Sequence, residues 1–308
     1  MKTINDGVWP TMITPFNEDG SIDYATLEKQ IDWYIRGGVA GLFAVCQSSE
    51  MFFLSLKERL ALSRVCVKFS GGRIPVIASG NVAETLDDQV DEAKMMADTG
   101  VQAVVLLTNR FARQDQCDDT FKQRLEKFLS LMASDILLGF YECPAPYKRL
   151  VSPDLMKFCV ESGRFGFLKD TSCRIDDIRT KLAIAKGSNF KLFNANAATL
   201  LASLQAGASG YSGVMTNFHA DLYSWLCTNW SKDATRAGEL QDFLGFASVM
   251  ECQYYPVNAM YALSLEGLPF KLMSRRVDPS RFSGAQRMEV EQMMRISRTY
   301  SARFPLPA

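Results

Sequence analysis

FGFLKDTSC, residues 165–173, is the stretch that decides how this chain is read. An apolar run typical of a buried strand closes on a lysine, an aspartate and two hydroxyls. Similar β-rich runs lie at GVWPTMIT (7–14), GLFAV (41–45), IPVIASG (74–80), VQAVVLL (101–107), ILLGFY (136–141), KLFNA (191–195) and GYSGVM (210–215). They recur every 20 to 35 residues or so, roughly the period of a βα unit. Amphipathic stretches with helix signals fill the gaps. Leu27, Ile31, Tyr34 and Ile35 make one helical face, which Gly37 and Gly38 end. Ser55 and Glu58 have capping-box spacing, Thr85 and Asp88 an acidic version of it, and Ser152-Pro153 an N-cap followed by proline. About eight strands alternating with helices predict an α/β fold, a closed (β/α)8 TIM barrel. An open doubly wound sheet is the rival, but its GxGxxG turn is missing.

The barrel is expected over residues 1–232, with a C-terminal extension over 233–308 that reads as helix only. The 308 residues are 47% hydrophobic and 22% charged with zero formal net charge, an ordinary globular composition. Balanced charge argues against nucleic acid or a membrane surface as partner, since both demand a basic excess. No apolar run is long enough to span a bilayer, and MKTINDGVWP lacks a signal-peptide core. The eight cysteines never form CxxC and mostly sit in apolar runs, as reduced thiols of a cytoplasmic protein do. With one histidine, His219, and no cysteine cluster, neither a zinc site nor any other metal or cofactor is expected. His219 itself reads as a packed loop residue.

In a barrel, working residues sit where strands end. Lys169 is the strongest candidate there. A lysine with a pKa of about 10.4 is protonated and inert in neutral water. Apolar walls such as Phe165, Phe167 and Leu168 would disfavour its charged form. The neutral amine can then attack a carbonyl and form a Schiff base, an electron sink for carbon–carbon bond chemistry. The competing reading is a strand end surfacing into solvent. Tyr141, ending the preceding strand, is a candidate proton shuttle or simply a hydrogen-bonded core phenol. After the second strand, Gln47, Ser48 and Ser49 offer hydroxyls and turn amides for a carboxylate. Glu50, beside Met51, Phe52 and Phe53, reads as a structural carboxylate bonded to loop amides.

Together these pieces resemble the dihydrodipicolinate synthase / N-acetylneuraminate lyase family of class I aldolases. GVWPTMITPF is similar to that family's opening strand, and CQSSEMFFLS to its GTTGE-x-x-x-L-S loop. YECP is similar to YNVP, and GFLKDTS to G-[IV]-K-[DE]-[TS]-[SG]. The resemblance runs from about residue 7 to residue 217. It implies a 2-oxo acid, typically pyruvate, held as an imine on Lys169, with Tyr141 and Ser48 as further catalytic residues. It places the Ser48 and Ser49 amides on the substrate carboxylate, the Ser212 carbonyl near the imine, and Gly213 and Asn196 among the substrate-binding residues. It also implies a homo-oligomer, commonly a tetramer.

Several positions depart from the family pattern. LLTN stands where the synthases carry PYYN, so Thr108 replaces a tyrosine that reaches the neighbouring subunit's site. Pro146 replaces an arginine for the second substrate, and Ala197 and Ala198 replace the acidic pair of sialic acid lyases. Arg110 or Arg149 is therefore expected to bind an anionic second substrate. The leading expectation is a Schiff-base lyase or aldolase. Its alternatives are 4-hydroxy-tetrahydrodipicolinate synthase and, from another class, a non-catalytic small-molecule-binding barrel.

Overall fold

The computed structural model describes residues 4–306. Eight strands run β1 (Gly7–Val8), β2 (Leu42–Val45), β3 (Val76–Ser79), β4 (Ala103–Leu107), β5 (Leu138–Tyr141), β6 (Phe165–Asp170), β7 (Lys191–Asn194) and β8 (Gly210–Tyr211). All neighbours pair in parallel, in the order β1-β8-β7-β6-β5-β4-β3-β2. The two ends meet through a parallel bridge between Thr11 and Phe43, with the Met12 amide donating to the Phe43 carbonyl at 3.1 Å. That closes the (β/α)8 barrel.

The strands that precede the site are buried on both faces, as expected for a parallel sheet walled by helices. Those helices are α1 (Tyr24–Arg36), α2 (Leu56–Ser70), α3 (Leu86–Ala97), α4 (Asp118–Leu131), α5 (Pro153–Glu161), α6 (Ile175–Ala185), α7 (Leu200–Gln205) and α8 (Thr216–Asn229). Their starts follow the sequence signals. Ser55 and Glu58 close a reciprocal capping box on α2, Thr85 caps α3, and Ser152 with Pro153 opens α5. The first and last strands are shorter than the apolar runs that announce them. Pro10, which has no amide proton, interrupts the first run. In the last, Gly213 turns the chain where a Cβ would lie 2.1 Å from the Tyr211 hydroxyl.

The wall that carries Lys169 contains a slip. Leu138 pairs with Phe165 but Gly139 with Phe167, so Gly166 is skipped. Phe165 consequently stacks on Phe140, which packs against Phe111 and Phe121, at 4.4 Å. The Phe167 ring crosses Gly139, where a Cβ would meet it at 2.2 Å.

Beyond the barrel come α9 (Ala234–Ala247), α10 (Val257–Leu265) and α11 (Gly284–Arg303). The expectation of helix only fails over residues 266–283. This stretch is a strap with one short 3-10 turn at Pro279–Arg281, broken by Gly267 at φ 84° and by Pro269 and Pro279. It returns to the barrel mouth, where Arg275 bonds the Gly20 carbonyl at 2.8 Å and pairs with Glu58 at 2.6 Å.

Candidate active site

Lys169 and Tyr141 are direct partners in the β5–β6 register, so the two side chains leave the wall side by side. The Lys169 ammonium is buried, 4.5 Å from the centre of the Tyr141 ring and 5.6 Å from that of Phe43. Desolvation lowers its pKa to about 8. Cys46, Cys143 and Glu251 oppose that shift. Burial pushes both thiols up, Cys143 to about 11, so near neutrality they are protonated. Glu251 is then the neighbour whose charge favours the ammonium form. A lysine titrating near 8 is neutral about one time in ten at pH 7, enough to attack a carbonyl. Burial likewise raises the Tyr141 phenol well above its ordinary value, keeping it protonated.

The loop after β2 approaches from the other side. Ser48 is buried near the Tyr255 phenol, whose pKa burial raises well above its ordinary value while the Ser48 hydroxyl works against that rise. Ser49 turns inward instead: its hydroxyl bonds the Cys46 carbonyl and amide, both at 2.8 Å, and its own amide donates to the Cys46 carbonyl at 3.2 Å. The Gln47 carboxamide oxygen accepts from the Ala145 amide at 3.2 Å and the Cys143 thiol at 3.3 Å, tying this loop to the one after β5. Glu50 sits at φ 60°, buried, and accepts from the Arg275 amide at 2.8 Å. Its partner thus comes from the strap, which links the extension to the site. Burial raises the Glu50 pKa.

One residue beyond Tyr141 and Lys169, Glu142 and Asp170 share Lys181 of α6. The Lys181 ammonium lies 2.6 Å from Glu142 and 2.5 Å from Asp170, and all three are buried. Glu142 also accepts from the Val151 and Thr171 amides, each at 2.8 Å. This cluster pins the ends of β5 and β6 together. Burial works against the Lys181 charge, but Glu142 and Asp170 outweigh it and hold its pKa up.

The remaining candidates divide. Ser212 is buried at the end of β8 and donates its amide to the Asn194 carbonyl, with Gly213 turning the chain behind it. The Asn196 carboxamide accepts from the Thr199 amide and hydroxyl at the start of α7. Arg149 is tied up: it donates to the Arg113 and Gln116 carbonyls, pairs with Asp118 at 2.8 Å and covers Phe121. Arg110 lies over Phe52, 5.5 Å from the ring centre. Thr108 donates to the Arg149 carbonyl at 2.6 Å. Lys148 reaches the Thr171 carbonyl at 2.8 Å. His219 is packed, in α8 rather than a loop, and burial lowers its pKa to about 3.

Lys181, Glu251 and Tyr255 escaped the reading by sequence. Lys181 sits on a helix with no local signal of its buried partners. Glu251 and Tyr255 come from the segment between α9 and α10, far along the chain from the barrel strands. The tyrosine pair before Pro256 is the one local oddity that could have drawn attention.

A closed parallel barrel with a buried, pKa-depressed lysine at a strand's C-terminal end defines a class I aldolase frame. The chain belongs to the dihydrodipicolinate synthetase family, whose model matches residues 5–277. It is 27% identical over 265 residues to a 4-hydroxy-tetrahydrodipicolinate synthase of Shewanella sp. strain W3-18-1, covering 83% of this chain and 86% of that one. A dihydrodipicolinate synthase of Bacillus anthracis superimposes with a TM-score of 0.86 at 19% identity over 100% of both chains. A prophage protein of this family from E. coli K12, solved with pyruvate, gives 0.85 at 20% identity over 95% of this chain and 98% of that one. At these identities the two structures speak to fold.

Proposed function

We propose that this protein is a Schiff-base lyase or aldolase acting on a 2-oxo acid of the pyruvate type, with Lys169 as nucleophile. The observation that carries the proposal is the Lys169 amine, buried beside Tyr141 with its pKa down at about 8. The neutral amine adds to the carbonyl carbon of the 2-oxo acid. Protonation of the carbinolamine oxygen releases it as water and leaves an iminium. Loss of a proton from the adjacent carbon gives an enamine, which attacks a second carbonyl; the reverse sequence cleaves the carbon–carbon bond. Tyr141 carries protons between nitrogen, oxygen and carbon, and Ser48 orients the substrate. The iminium itself serves as electron sink, so the chemistry calls for no cofactor. The relative named 4-hydroxy-tetrahydrodipicolinate synthase supports a lyase of this family, and the neighbour solved with pyruvate supports that substrate class.

The second substrate meets a different mouth. Thr108 and Pro146 stand where the resemblance puts a tyrosine and an arginine, and Arg149 is bound internally. Glu251 adds a carboxylate whose charge reaches Lys169. The same reading treats residues 1–232 as the barrel and 233–308 as an extension that completes its mouth. It takes the protein as a cytoplasmic homo-oligomer, supported by eight unpaired thiols and by the exposed Phe246 and Val249.

Incubation with pyruvate and borohydride, followed by mass mapping, tests the proposal. A reduced pyruvyl adduct on Lys169, absent from Lys169→Ala, is expected. A protein that gives no adduct with pyruvate or any other 2-oxo acid is not a Schiff-base enzyme.

A further inference from the structure

The β5–β6 ladder stops at the two residues that carry the chemistry, and side chains take over from it. Its backbone bonding closes with the Glu142 amide donating to the Lys169 carbonyl at 3.3 Å. Cys143 then turns its amide back to the Tyr141 carbonyl at 2.8 Å, so β5 leaves the sheet. Beyond that point the Thr171 hydroxyl donates to the Glu142 carbonyl at 2.7 Å, and the Thr171 amide to the Glu142 carboxylate at 2.8 Å. The same carboxylate accepts from the Lys181 ammonium at 2.6 Å, which also reaches Asp170 at 2.5 Å. Asp170 is fixed in turn by the Ser172 amide and hydroxyl, at 2.8 and 2.6 Å. By strand alternation Glu142 and Asp170 point away from the barrel axis, so Lys181 meets them outside it and touches no substrate. One ammonium from α6 therefore closes the seam directly behind the Tyr141 and Lys169 pair.

We infer that Lys181 is a positioning residue for the chemistry at Lys169: through Glu142 and Asp170 it sets the distance between the Lys169 amine and the Tyr141 phenol. The inference rests on the Schiff-base reading above. After attack the nitrogen sheds one proton, and the oxygen gains two, that one and another from solvent, before it leaves as water. Tyr141 can carry these protons only from a fixed distance, since about 1 Å of misplacement can cost on the order of 100-fold. Without Lys181 two buried carboxylates face each other across the seam, and their repulsion drives the strand ends apart.

Trapping with excess borohydride at varied pyruvate gives a maximal rate of adduct formation and a half-saturating concentration. Lys181→Met should lower the maximal rate about 10- to 100-fold. The half-saturating concentration should move less than about 3-fold, since Lys181 does not hold substrate. In a Tyr141→Phe background Lys181→Met should cost less than about 3-fold more, because the distance it sets no longer ends on a phenol. Met294→Ala, on the buried face of α11, is the control for lost stability alone and should keep the wild-type maximal rate. Should Lys181→Met not fold, Glu142→Gln takes its place, keeping the side-chain shape and leaving Lys181 paired with Asp170. It should slow trapping about 3- to 10-fold, the weight of one hydrogen bond. A wild-type maximal rate in the variant used overturns the role given to Lys181. So does a loss confined to the half-saturating concentration, a loss as large in Met294→Ala, or losses of Lys181→Met and Tyr141→Phe that multiply. A wild-type protein that traps no adduct overturns the Schiff-base reading and this inference together, whereas trapping that Lys181 does not govern overturns only the latter.

Discussion

Two buried lysines stand on opposite faces of one stretch of barrel wall, and their pKa values move in opposite directions. Lys169 and Lys181 are 4% and 3% exposed, so burial alone cannot separate them. Lys169 faces the rings of Tyr141 and Phe43, and desolvation prevails. Lys181 faces Glu142 and Asp170, and their charge prevails. Strand alternation keeps the two environments apart. Along β6 Lys169 points inward and Asp170 outward, and from Tyr141 to Glu142 the same switch occurs. Asp170 is thus the nearest acid to Lys169 in sequence, yet its carboxylate is spent on Lys181. A buried lysine becomes a nucleophile only where the fold withholds a carboxylate.

The largest effect should come from breaking the outer pair. Lys181→Met leaves Glu142 and Asp170 facing each other in the dry wall without their cation. Removing one partner of a buried ion cluster costs about 3–5 kcal/mol. Urea unfolding should show that loss. A change below about 1 kcal/mol would mean that the Glu142 contacts to Val151 and Thr171 suffice, and that the cluster does not hold the strand ends.

How far this contrast was legible in the sequence follows from the distances involved. The barrel was legible because each βα unit carries its own periodicity and caps, as at Ser55 with Glu58 or Ser152 with Pro153. Lys169 beside Tyr141 was legible because both end apolar strands that are neighbours in order. Lys181 was not, since nothing in IDDIRTKLAIA tells a lysine turned to the barrel wall from one in water. Tyr255 and Glu251 were not, because their place at the mouth depends on how α9 and α10 pack against α8. Arg149 misled for the related reason that its partners, the Gln116 carbonyl and Asp118, lie just before α4 and at its first residue, far from Arg149 in sequence.

The inner lysine carries an energetic signature of opposite sign. In the unfolded chain Lys169 titrates at the ordinary lysine value, whereas in the fold it titrates at about 8. Below that pH the folded protein bears the full cost of a desolvated ammonium, and the cost fades as pH rises from 8 toward the unfolded value. Lys169→Met should therefore stabilise the protein near neutral pH, by at most roughly 3 kcal/mol. The advantage over wild type should shrink by about pH 10. Thermal melts across that range measure it. A Met variant no more stable at neutral pH would show that water reaches the ammonium and that its pKa is not depressed.

The smallest effect sharpens the comparison from the inside. Glu251 is a carboxylate whose charge favours the Lys169 ammonium, and so the residue that makes Lys169 slightly like Lys181. Burial raises the Glu251 pKa, with Lys169 pulling it back down, and the group stays partly open to solvent. Glu251→Gln removes the charge at constant shape, so the Lys169 pKa should fall further. The rate of borohydride-trapped adduct formation should rise with pH to a plateau, with a midpoint near 8 in the wild type. In Glu251→Gln that midpoint should move to lower pH by a few tenths of a unit, about what one partly screened carboxylate supplies. Added salt should narrow the gap between the two profiles, because screening weakens a solvent-facing charge first. A midpoint that stays put, or moves upward, would place Glu251 outside the field of the amine and leave desolvation to set the nucleophile alone.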